Sequence, residues 1–121
     1  MMKLSDRLSN VPARIVPDDE LDRALHWLIN NAKVMGAAKA RLVKAERMVG
    51  FVEAIETKKS DATSDLKKKA DARSSDRYFA AINEEAEAAG GYETLRGLRD
   101  AANMKIEAWR SEQANFRGLK V

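Results

Sequence analysis

The residues best placed to do chemistry in this 121-residue sequence are cations. Lys33, Lys44, Arg47 and Lys58 are spaced by 11, 3 and 11 residues. On an α-helix those spacings gather the four positive heads within roughly 60° of one another. Arg41 lies within the same stretch, Lys59 follows Lys58, and Lys67, Lys68 and Lys69 form a run a little further on. Fixed ammonium and guanidinium groups along one face suit the backbone of a polyanion, which is recognised by charge and not by sequence. A solvated helix face is the plainer reading of the same residues.

Other chemistries find little support. His26 is the only histidine and there is no cysteine, so zinc spacings, disulfides and thiolate nucleophiles do not arise. Asp18, Asp19, Glu20 and Asp22 crowd one turn. They suit the positive end of a helix dipole better than a metal ion. Gly-rich phosphate loops and nucleophile elbows are absent. The sequence reads as a non-enzyme that needs no cofactor and no metal.

The cations must be positioned by long helices. From 18 to 57 there is no proline, and apolar residues recur at Leu21, Leu25, Leu28, Ala32, Met35, Ala38, Leu42, Ala45, Val49 and Val52. That helical period, held for about 40 residues, predicts a rod of about 60 Å. Gly36 and Gly50 share one of its faces, two heptads apart, where a neighbouring helix could come close. A second pattern starts after Ser75, a suitable N-cap. It runs through Phe79, Ile82, Ala86 and Ala89, then Leu95, Leu98, Ala102, Ile106 and Trp109. Gly90-Gly91 interrupts it at a cost of about 2 kcal/mol.

The predicted fold is all-α: a long antiparallel hairpin with helices at about 18–58 and 76–112, the second broken or kinked near 90–91. Residues 1–16 read as a flexible arm, 17–113 as the hairpin domain and 114–121 as a tail. The polar stretch 60–65 and the lysine-rich segment 66–73 connect the helices. Composition agrees, with 34% charged and 6% aromatic residues. No apolar run reaches the ~18 residues of a membrane span.

A two-helix hairpin has no enclosed centre, so its stripe stays half wet and burial barely offsets the ordering entropy. Association through the helices into a homo-oligomer is therefore expected. Trp27, Trp109, Phe116 and Leu119 are the candidate interface anchors. The net charge of +3 is uneven. Residues 33–73 hold eleven basic and six acidic side chains, a surplus of 5, while 1–32 and 74–121 are each at −1.

Residues 31–60, NAKVMGAAKARLVKAERMVGFVEAIETKKS, are followed by a polar connector, then by SSDRYFAAINEEAEAA and MKIEAWRSEQANFRG. Together they resemble small phage proteins encoded near recombination and replication genes. The short start Asp76-Arg77-Tyr78 and the ending Ile106-Glu107-Ala108-Trp109-Arg110 with Asn115 carry the likeness. The order of features is similar to the UvsY-type recombination mediators of T-even phages. The Gly90-Gly91 pair departs from that pattern.

The resemblance implies a helical, ring-forming protein of the host cytoplasm. It would bind single-stranded DNA and help load a recombinase or annealing protein while single-strand-binding protein is displaced. Lys58 and Lys59 match the family's lysine-rich helix end, and the DNA-binding set would be Lys33, Arg41, Lys44, Arg47, Lys58, Lys59, Lys67, Lys68 and Lys69. The competing expectations are a structural or assembly hairpin of a virion or scaffold, and an inhibitor of a host protein, neither binding DNA.

Overall fold

A computed structural model describes residues 16–119. Among them there are three helices and no strand: α1 (Asp18–Lys59), α2 (Asp65–Arg73) and α3 (Asp76–Leu119). The arm expected over residues 1–15 lies outside the described residues.

Each helix end has a local cause. The Pro17 carbonyl accepts from the N–H groups of Glu20 and Leu21, opening α1. Asp18, Asp19 and Glu20 occupy its first turn, and Lys58 and Lys59 its last, the arrangement its dipole favours. Ser64 caps α2, its hydroxyl accepting from the Lys67 N–H at 3.2 Å. The Ser75 hydroxyl accepts from the Tyr78 N–H at 3.2 Å, as its predicted capping role requires, and donates to the Ala72 carbonyl at 2.7 Å. Ser74 closes α2, its N–H and hydroxyl donating to the Ala70 carbonyl at 3.1 and 2.6 Å, and Ser75 opens α3.

Two expectations about α3 are corrected. It runs unbroken through Gly90-Gly91, with no glycine at positive φ among the described residues. It also continues past 112 to Leu119, so most of the expected tail is helix. The two corrections share a cause. The main series of buried and half-buried positions on α3 is Tyr78, Ala81, Glu85, Ala88, Tyr92 and Leu95, then Arg99, Ala102, Ile106, Trp109, Gln113 and Phe116, with Ala89, Ala108 and Glu112 half-buried beside it. Steps of three and four alternate without a fault, a period of 3.5 residues. The Phe79–Ile82–Ala86–Ala89 series predicted from sequence lies about one residue out of this register. Continued along an intact helix, it would carry Glu93, Arg96, Asp100 and Asn103 inward. An unbroken α3 can bury only one of the two series, and it buries the one that ends in Ile106 and Trp109. Phe79 is therefore left 66% exposed and Ile82 40%.

α1 shows the same period. Leu21, Ala24, Leu28, Asn31, Met35, Ala38, Leu42, Ala45, Val49, Val52 and Glu56 are buried or half-buried. Ala24 replaces the predicted Leu25, and Asn31 replaces Ala32; both predicted residues are exposed.

The contacts divide the described residues into two units. In the unit of residues 31–97, Leu42 and Ala45 of α1 pack on Ala88 of α3, with Ala89 and Tyr92 against them. Lys39 Nζ stands 5.0 Å from the Tyr92 ring centre, a cation–π contact. Ala72 of α2 is buried, Arg73 pairs with Glu53 at 3.1 Å, and Ser60 donates to Asp71 at 2.6 Å. The unit of residues 16–30 and 98–119 buries Ala24 and Ala102. Val16, counted with the arm by sequence, is buried too, and its N–H donates to the Glu112 carboxylate at 3.2 Å. Trp109 Nε1 donates to Asp18 Oδ1 at 3.0 Å.

The glycines do not mark close helix approach. A Cβ added at Gly36, Gly50, Gly90 or Gly91 would have nothing within 4 Å. Gly90→Ala and Gly91→Ala should each stabilise the protein by about 1 kcal/mol, the helix-propensity difference. Urea unfolding followed by circular dichroism checks this; an unchanged midpoint would mean that the helix breaks at this pair.

Candidate nucleic-acid interface

All nine predicted cations fall in the unit of residues 31–97, and the structure sorts them by the company they keep. Arg41 is engaged. Its Nε lies 2.7 Å from Glu84 Oε1 and its Nη2 3.0 Å from Glu84 Oε2, a bidentate pair, with Glu87 at 3.7 Å. The hydrogen bond to Glu84 and then its charge hold the guanidinium above its ordinary pKa, against a small opposing effect of burial. The Arg41 hydrogen bond in turn holds the Glu84 carboxyl below the ordinary value. A phosphate approaching Arg41 would compete with these two carboxylates.

Lys59 is also engaged, 3.7 Å from Glu56. Glu56 is shared with Arg77 at 3.6 Å, and its Oε1 is buried without a hydrogen-bond partner.

The rest of the set has no carboxylate at ion-pair distance among the described residues. Lys33, Lys44 and Arg47 are exposed on α1. Lys58 near the end of α1 and Lys69 of α2 line one shallow groove with Gly50, Glu53, Ala54 and Thr57. Glu53, the only acid of that lining, is held by Arg73. Lys67 is exposed and Lys68 half-buried. The connector thus folds back so that two lysines eleven residues apart share a surface. Consecutive lysines alone could not show this, because on a helix they diverge by about 100° each.

Three of the four predicted interface anchors are half-buried within the described residues. Trp109 and Phe116 lie half-buried on the 3.5-residue stripe of α3, covered in part by their own chain. Trp27 is half-buried in a groove with Ala24, Leu98, Ala102 and Lys105. The Leu119 side chain is outside the described residues. Sequence reasoning passed over Phe51, 59% exposed on α1. The spacing Ala40, Val43, Arg47 and Phe51 was the available signal, since steps of three and four keep one helix face.

No protein-family model, curated protein or solved structure matches the chain. The site therefore rests on its own geometry. His26 is exposed, and no group of three metal-ligating side chains occurs among the described residues. No described helix is long and apolar enough to cross a membrane. Free lysines on a groove can neutralise phosphates, but they offer no planar fork for reading bases.

The Arg41–Glu84 pair gives a direct test. Glu84 is depressed, so its contribution to stability is present above the ordinary glutamate pKa and is lost as pH falls through its folded value. In carboxyl-carbon NMR titrations Glu84 should titrate below the ordinary glutamate value, and Arg41→Ala should raise it.

Proposed function

We propose that this chain binds single-stranded DNA through its phosphate backbone, without sequence readout, and does so as a homo-oligomer of antiparallel helical hairpins. The observation that carries the reading is the convergence of Lys58 and Lys69 on one groove, both without a carboxylate partner among the described residues. Lys67, Lys33, Lys44 and Arg47 extend the field along the same unit. Repetition of this groove around an oligomer would multiply weak phosphate contacts into useful avidity.

The motif likeness to UvsY-type mediators supports a more specific role. In the host cytoplasm such an assembly would hold single-stranded DNA while a recombinase or annealing protein replaces single-strand-binding protein. The chemistry agrees with that role, because a mediator must grip any sequence and let go. Contacts built on counterion release do both, since they weaken steeply as salt rises.

The test is fluorescence anisotropy with a labelled oligothymidine at several salt concentrations. Lys58→Ala/Lys69→Ala should weaken binding and lower the slope of log affinity against log salt by about 1.4 per bound protomer, from about 0.7 for each phosphate contact on a single strand. Arg41→Ala/Glu84→Ala, which removes the pair and keeps the net charge, should leave both nearly unchanged. Equal effects of the two variants would remove the groove as the binding site.

A further inference from the structure

Phe51 is an aromatic side chain that the fold leaves among unpaired cations. It is 59% exposed on α1 and lines an open groove with Ala40, Val43, Lys44, Arg47 and Met48. That lining holds two cations and no acid. Neither cation has a carboxylate at ion-pair distance among the described residues. Lys44 and Met48 stand toward α3, where they also border a groove with Ala80 and Ala81.

Lys44, Phe51 and Lys58 follow one another at intervals of seven residues. Seven residues are nearly two turns, so each lies within about 20° of the one before and about 10 Å further along the helix. The ring therefore sits in a row between Lys44 and Arg47 on one side and Lys58 and Lys69 on the other. Ala54, one turn on from Phe51, lines the groove of Lys58 and Lys69.

Such a row has a definite complement: phosphates for the cations and, between them, a flat apolar face for the ring. A single strand offers both, because its bases are free to stack on a protein side chain. A duplex offers the phosphates alone, since its bases stack on one another and show only their edges in the grooves. We infer that Phe51 stacks on a base of the bound strand, with phosphates held by Lys44 and Arg47 before it and by Lys58 and Lys69 after it. The inference rests on the single-stranded DNA reading above and adds the contact that makes the site prefer a single strand to a duplex. Stacking tolerates any base, so binding stays independent of sequence.

Phe79 supplies the contrast. It is 66% exposed on α3, but its neighbours at helical spacing are Ser75, Asp76, Ile82 and Asn83, with no cation. Exposure alone would favour Phe79; the row of cations selects Phe51.

Fluorescence anisotropy of wild type, Phe51→Ala and Phe79→Ala tests this on labelled oligothymidine, an abasic strand of the same length and a duplex. Both rings are exposed, so circular dichroism should show both variants folded. Phe51→Ala should bind oligothymidine about fivefold more weakly or worse, from the lower end of base–aromatic stacking. Its slope of log affinity against log salt should keep the wild-type value, because no phosphate contact is lost. On the abasic strand and the duplex it should match wild type, and Phe79→Ala should match wild type on all three. The inference is overturned if Phe51→Ala binds oligothymidine as wild type does, if it loses as much on the abasic strand, or if Phe79→Ala weakens oligothymidine binding equally. Wild type that ignores oligothymidine at low salt would end the DNA reading and this inference together. An unaffected Phe51→Ala beside a lowered salt slope in Lys58→Ala/Lys69→Ala would end the stack alone.

Discussion

The structure depends on a contact stripe repeating every 3.5 residues, whose most deeply buried positions are mostly small side chains. Among the described residues, five of the eight buried apolar ones are alanines: Ala24, Ala45, Ala72, Ala88 and Ala102. Alanine lets helices approach closely and has the best helix propensity, but each one removes little apolar surface from water. The period matters more than the bulk of any one residue. It decides which side chains face inward, so it also decides which large ones remain outside. Phe51, Phe79 and Ile82 are exposed because the stripe is occupied by residues one step away.

This explains how much could be read from the sequence. The extent of α1, the start of α3 at Ser75-Asp76 and the all-helical class were legible, because caps, proline placement and helical period are local signals. The register of α3 was not. Ala89 and Leu95 are six residues apart, and bridging the two apolar series seemed to need a break, for which Gly90-Gly91 offered a site. The helix pays the propensity cost and keeps a single register instead. Its continuation to Leu119 follows, since Phe116 belongs to the same stripe as Ile106 and Trp109.

The charged residues divide in the same way. That residues 33–73 are basic was plain from the sequence. Which cations remain available was not, because partners such as Glu84 and Arg41 are 43 residues apart. Helix pairing brings the acidic part of α3 against part of the basic stretch and neutralises Arg41. Folding back of α2 does the reverse, gathering Lys69 beside Lys58 while Arg73 occupies the nearby Glu53. Fold and electrostatics thus select a few available cations from a longer list.

Glu56 shows one contact that holds the two stripes in register. It sits on the inward positions of α1, with one carboxylate oxygen buried and no hydrogen bond to it, held only by Lys59 and Arg77 at 3.7 and 3.6 Å. Lys59 belongs to the same helix and would travel with it. Arg77 would not: a slip of one heptad moves it about 10 Å along the axis. The carboxylate would then be buried with half its compensation gone, a costly state. Glu56 thus adds, to the pairs Arg41–Glu84 and Arg73–Glu53, a charged contact that one alignment satisfies and a one-heptad slip breaks.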